Sequence, residues 1–388
     1  MNSVGNRGWF VWTLLGGALL LSASGCSEEE SVTDSDGTPP AAVTDLRAAE
    51  VTPTTVTLQW SASGDDSLSG RATAYDLRYA TAPFDAAGWD ALTQAEGEPP
   101  PATSGSEESF TVAALTPETD YYFGLVVRDE AANASGLSNL LAVSTERVRL
   151  RWTIDPSGGG DFLTIGEAIA AAGAGDTLRI LAGVYDEALS FGGHELVLIG
   201  AGPDQTRIEH ASDLPGQTLV FASDSQLELR EIGFRALALE YPNGFTADDS
   251  RVALHGCALI ECGLTSAAGE LLVSQCTIAS DPPTRSGEPA PLVWLLSGSA
   301  SFERSIIVNG SNYGIACQES DVSFLCNDCF GHGEGNYTGC SDPTGLNGNI
   351  SEDPRFVDPA SGDFRLQPDS PCAGVSGCGP MGAFEVVE

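Results

Sequence analysis

Between residues 39 and 146 apolar and polar side chains alternate in short runs. Val56, Leu58 and Trp60 form one run, Tyr75, Leu77 and Tyr79 a second, and Tyr121, Phe123, Leu125 and Val127 a third. A period of two marks a strand with one face in a core and the other in water. Acidic, Gly- and Pro-containing segments separate the runs, so the pattern predicts an antiparallel β-sandwich. Near residue 150 the pattern changes. Phe162, Ile165, Ala168 and Ile169 fall at helical spacing and predict a short amphipathic helix over 163–173. Gly175-Asp176 ends it, Leu178 and Ile180 open a strand, and Tyr185 and Glu187 follow a glycine turn.

Further along, one strand pattern recurs at 227–234, 252–259, 271–278 and 300–307, with a looser copy at 323–330. Each copy alternates, breaks for two residues, and resumes on a small or apolar residue. Those residues are Ile232, Cys257, Cys276, Ser305 and Cys329, spaced 25, 19, 29 and 24 apart. A constant strand motif with variable spacing predicts stacked coils with loops of differing length. Coils stack at about 4.8 Å, so roughly eight would form a rod of about 40 Å, with Cys257 against Cys276. The repeats are short and degenerate, and a β-sandwich or small propeller stays compatible with them.

The first 26 residues combine Arg7, an apolar run from Trp9 to Leu21, and small residues Ala23, Ser24 and Gly25 before Cys26. The run is too short for a confident membrane span. The arrangement resembles the lipobox of bacterial lipoproteins. That resemblance implies a signal peptide over 1–26, a lipidated Cys26 and a membrane anchor; the same residues also fit an ordinary secretory peptide. Ser27 after the cysteine implies the outer membrane or cell surface, and 27–38 read as a disordered tether. Several acyl chains, at about 0.8 kcal/mol per buried methylene, anchor far more firmly than one.

Two further resemblances follow from the quoted segments. Leu115 to Tyr121, with Trp60 as core tryptophan and Asp129, Asn133 and Ser135 in a following loop, resembles fibronectin type III domains. In that family such residues pack and hydrogen-bond, and the domain, here 39–146, acts as spacer or adhesion module. Residues 158–191 resemble the entry to the pectin lyase-like superfamily, whose short helix plugs one end of the core. This implies a right-handed parallel β-helix over 150–388. The segment with Asp353-Pro354, Phe356, Gly362-Asp363-Phe364, Ser370-Pro371-Cys372 and Gly382-Ala383-Phe384 resembles the closing segment of many bacterial β-helix proteins. It is expected to cap the last exposed rung from about 350, since open strand edges recruit other chains. The fold class is therefore all-β, a sandwich followed by a β-helix with a short N-terminal capping helix.

Charge and chemistry narrow the function. Against 54 carboxylates stand 17 basic residues, all arginine, for a net charge of -37. No lysine nucleophile is available, and nucleic acid is repelled at long range. Nine cysteines follow residue 256, and export permits disulfides. Cys372 with Cys378 and Cys329 with Cys340 could close loops; Cys257 and Cys276 could bond or simply stack. Nine is odd, so at least one thiol is expected to stay unbonded within the chain. Cys326 and Cys329 have a metal-like spacing but no second pair, and His332 is the one histidine nearby, which argues against zinc.

Catalysis in this superfamily needs convergent acids. The acid and nucleophile segments of pectinesterases do not occur after residue 187. Gly331-His332-Gly333 matches one polygalacturonase motif, but the paired Asp248-Asp249 lie 83 residues earlier. Calcium-dependent lyases use bridged carboxylates and an arginine base, for which Asp248, Asp249, Arg251 and Glu261 are the candidates, with calcium the implied cofactor. The expectation is a non-catalytic surface lipoprotein for display, adhesion or binding of extended polysaccharide along the β-helix groove. The alternative is a carbohydrate-active enzyme, a calcium-dependent polysaccharide lyase or an esterase.

Overall fold

A computed structural model describes residues 36–210, 218–236, 244–280 and 290–387. Cys26, the leader over 1–26 and nearly all of the tether lie outside the described residues. The described chain is all-β with few helices, and it divides into two compact units at Arg147/Val148. Among the described residues no helix is long and apolar enough to cross a membrane.

The first unit packs two antiparallel sheets. Arg47–Val51, Val56–Ser61 and Glu107–Val112 form one; Thr93–Gln94, Ala74–Ala80, Asp120–Arg128 and Leu141–Ser144 form the other. The alternating residues read from the sequence are the core: Val56, Leu58, Trp60, Leu77, Phe123, Leu125 and Val127 are wholly buried. Trp60 meets Tyr75 edge to face at 5.1 Å, a favoured aromatic geometry. The Tyr121 hydroxyl accepts the Thr116 N–H at 2.9 Å, tying the strand to the loop five residues before it.

The second unit is built of parallel strands in three rows. Row B stacks Arg151–Ile154, Asp176–Ile180, Glu195–Ile199 and Gln226–Arg230, then the C-terminal parts of Phe245–His255, Leu264–Ser274, Val293–Glu303 and Tyr313–Leu325. Row C stacks seven short strands, from Gly183–Asp186 to Asp328–Phe330. Row A stacks Leu189–Gly192, Val220–Ser223, the N-terminal parts of the same four long strands, and Gly335–Thr338. The chain visits B, C and A in turn, and inward residues of all three rows share one hydrophobic core. This is a β-helix-like arrangement.

The long strands bend between rows A and B at residues with left-handed backbone, Asp249 (φ 43°) and Gly269 (φ 80°) among them. Asp and Asn tolerate that region better than most residues. A Cβ on Gly269 would collide with the Ser250 carbonyl, so glycine is required there. The helix Ile165–Ala171 forms where its spacing predicts, shorter by two residues at each end. Thr164 caps it, accepting the Glu167 N–H, and Ile165, Ala168 and Ile169 bury into the core.

One turn repeats between rows B and C. Ile232, Cys257, Cys276 and Ser305 occupy equivalent places, but the next member is Asn327, not Cys329, because Ile306 pairs with Asp328. The turn of the looser fifth copy therefore falls two residues before the position its spacing predicts. Asn327 replaces the small apolar residue with a hydrogen-bonding one. Its Oδ1 accepts the Ser305 N–H at 2.9 Å and its Nδ2 donates to the Phe302 carbonyl, while Asn349 Oδ1 accepts from the Asn327 N–H. Backbone groups inside the turn are thereby satisfied.

The closing segment meets the last rung at its start, where Ile350 bridges Asp328 in parallel and its N–H donates to the Asn327 carbonyl. The segment then folds back along the outer face of row C. Gly382 N–H donates to the Arg304 carbonyl and Ala383 N–H to Thr277 Oγ1. Ile306 and Val308 point outward, yet are wholly buried beneath Phe356, Phe364, Leu366 and Met381. This explains the unbroken apolar run at 306–308: a strand covered on both faces has no reason to alternate.

Candidate functional site

The two disulfides are neither Cys372–Cys378 nor Cys329–Cys340, and Cys257 with Cys276 stack without bonding. Cys317 bonds Cys340, and Cys326 bonds Cys378, with Cα atoms 5.4 and 5.6 Å apart. The first joins row A to the segment after its last strand, and the second staples the folded-back segment to the sheet. Cys329 points into the core and Cys372 against Asp328, so neither reaches the partner assigned to it from loop length. Cys257 and Cys276 remain thiols, stacked on adjacent coils, and burial and the neighbouring sulfur push the Cys276 thiol up. Cys326, being in a disulfide, is no metal ligand.

His332 is a half-buried residue held by backbone hydrogen bonds. Its Nδ1 accepts the Gly310 N–H at 2.9 Å, and its Nε2 lies 3.0 Å from the Ile307 carbonyl, so Nε2 carries the proton. Burial lowers its pKa to about 4. With the acceptor nitrogen occupied, the ring has no lone pair for Cys329, 3.4 Å away, whose thiol burial pushes up. This is not a nucleophile–base pair.

The proposed calcium-lyase residues do not converge. Asp248 ends the row A part of its strand, Asp249 makes the corner, and Arg251 starts row B, where Glu270 Oε2 holds its Nε at 2.6 Å. Glu261 lies beyond the row C strand Ala258–Ile260 and lines a separate groove. Among the described residues no three His, Cys, Asp or Glu side chains gather as a metal set.

What the outer face of row A does bring together is an aromatic and hydroxyl ladder. Phe221, Thr246, Thr265 and Trp294 are in register on successive coils, all pointing outward. Phe221 is 38% exposed and the other three are half-buried. At about 4.8 Å per coil the two rings stand roughly 14 Å apart along the stack. Beside them Ser223, Asp248 and Ala267 form a second, more polar ladder. Rings and hydroxyls held on a rigid sheet suit an extended ligand running across the coils. This ladder was missed in the sequence, because its members are 19 to 29 residues apart and each looks like an ordinary strand residue.

In the first unit the loop residues singled out beforehand are structural. Asp129 accepts from the backbone and side chain of Asn133 at 2.7 and 2.8 Å, and Ser135 Oγ accepts the Val127 N–H. Three strands facing four, a buried tryptophan and a tyrosine corner coincide with a sequence match, over residues 41–144, to the fibronectin type III domain family. Residues 41–144 are a fibronectin type III domain. Similar solved structures include the FN1–FN3 domains of chicken CNTN1, at 18% identity over 28% of this chain and 33% of that one, with a TM-score of 0.22. Domains A168–A170 of titin match at 18% identity, over 28% and 32% of the two chains, TM-score 0.21. The fibronectin type III domain of human fibronectin type III domain containing protein 3 matches at 18% identity, covering 32% of this chain and 97% of that one, TM-score 0.22. The chain therefore spans about a third of the length of the first two. A fibronectin type III domain together with disulfides fits an extracellular protein.

Proposed function

We propose that this chain is an exported lipoprotein, acylated at Cys26. It displays a fibronectin type III domain and a right-handed parallel β-helix of the pectin lyase-like kind, and the β-helix holds extended polysaccharide without cleaving it. The observation that carries the binding reading is the outward ladder Phe221–Thr246–Thr265–Trp294 on rigid row A. Aromatic rings present apolar faces to sugar rings, and hydroxyls at fixed spacing offer hydrogen bonds. The dispersal of Asp248, Asp249, Arg251 and Glu261 favours binding over turnover, since general acid and base must reach one bond.

Anchoring is tested by labelling cells with a radioactive fatty acid: label should enter the wild type and vanish in Cys26→Ser. Binding is tested by sedimentation with insoluble polysaccharides, with and without calcium. Retention that falls on Trp294→Ala supports the reading, whereas release of unsaturated or reducing ends would make the protein an enzyme.

A further inference from the structure

A second concave site lies on another face, where the folded-back C-terminal segment stops short of covering row C. The groove encloses about 410 Å3, within the range of small-ligand pockets. Its depth comes from two small outward positions, Gly233 and Ala258, in register between Arg207 and Thr277. Arg207, Glu209 and Arg235 stand on one side. On the other, Phe364 and Phe384 stack at 5.9 Å above Ile260. Both walls are rigid: one is a hydrogen-bonded sheet, and the other is stapled by Cys326–Cys378.

The charge balance selects the ligand class. Across the chain carboxylates outnumber arginines 54 to 17, yet the groove sets Arg207 and Arg235 beside Asp204, Glu209 and Glu261. Three carboxylates against two guanidiniums disfavour an anion and leave both signs present side by side. A hydroxyl both donates and accepts, so it is matched by guanidinium and carboxylate groups side by side. Arg207 is already paired with Glu209 at 2.9 Å, which orients both for such sharing, while Arg235 is exposed and makes no salt bridge among the described residues. The adjoining phenyl rings supply the apolar surface that the C–H face of a sugar requires.

We propose that this groove binds the end of an uncharged glycan, one or two sugar units deep, between Arg235 and Phe384. The proposal rests on the glycan-binding reading above, but concerns a different face and a chain end rather than an extended chain.

The test is calorimetric titration of the protein with cellobiose, maltose, lactose and diacetylchitobiose, with glucuronic acid as a charged control. One of the uncharged disaccharides should bind. Arg235→Ala and, independently, Phe384→Ala should weaken it about tenfold or more. Arg235 is exposed and outside the core, so its loss does not threaten folding. Disaccharide binding indifferent to both groove variants, or binding of glucuronic acid alone, overturns the proposal. Retention of long polysaccharide with no disaccharide bound overturns it too and leaves the row A reading standing. If no glycan of any length is retained, both fall.

Discussion

Asp328 is the most informative residue to perturb. It points outward from row C, yet is wholly buried beneath the C-terminal segment, where Cys372 Sγ donates to its Oδ2 at 3.1 Å and the Glu352 N–H to its Oδ1. Burial raises its pKa to about 6 from 3.8, with Glu352 and Asp353 adding to the rise. A carboxyl raised in the fold favours the native state while protonated. Its contribution is full below pH about 4 and is lost as pH climbs through 6. A rise from 3.8 to 6 corresponds to about 3 kcal/mol at neutral pH. Asp328→Asn keeps the shape and an acceptor for Glu352, but cannot ionise. The variant should therefore gain up to about 3 kcal/mol on the wild type between pH 4 and pH 7, then run parallel to it. The assay is urea denaturation of both proteins from pH 4 to pH 8, followed by tryptophan fluorescence. Taking the difference cancels the other carboxylates. A difference that stays flat across that range refutes the reasoning.

Three further outcomes follow from the same geometry. Cys326→Ser with Cys378→Ser opens a loop of sequence separation 52, which should cost about 4 kcal/mol on chain-entropy grounds and make the region beyond 351 the first to be cut in limited proteolysis. Asn327→Ala leaves the Ser305 N–H and the Phe302 carbonyl without partners inside the turn; a loss of about 2–4 kcal/mol is expected by denaturation, and a loss under 1 would remove the ladder from the account. Tyr121→Phe in the fibronectin type III domain removes one hydrogen bond to Thr116. It should lower stability by about 1 kcal/mol while leaving the circular dichroism spectrum intact.

How much of this was legible beforehand can be argued from particular residues. Trp60, Tyr121 and the alternating strands of the first unit appear where the period of two places them. The helical spacing of Ile165, Ala168 and Ile169 marks the short helix, while its start at the cap Thr164 is seen in the structure. The coil motif was readable through Ser305 and then slipped, because Asn327 fills the turn with an amide where earlier coils use Ile232, Cys257 and Cys276. A pattern built on apolarity does not register that substitution. The ladder Phe221–Trp294 was not readable at all, since no local signal distinguishes a residue facing a groove from one merely facing solvent.

By itself the sequence determined what is local: the strand period, the helical spacing and the recurring turn as far as Ser305. Those follow from backbone and side-chain preferences acting over a few residues. Tertiary structure alone decided which distant groups meet. The disulfide Cys326–Cys378, the outward burial of Ile306 and Val308, and the groove beside Arg235 all depend on the C-terminal segment folding back over row C, and Cys317–Cys340 depends on the stacking of row A. Loop entropy grows only slowly with length, so spacing along the chain is a weak guide to which cysteines bond. The apolar surface exposed by each coil is what selects the segment that covers it.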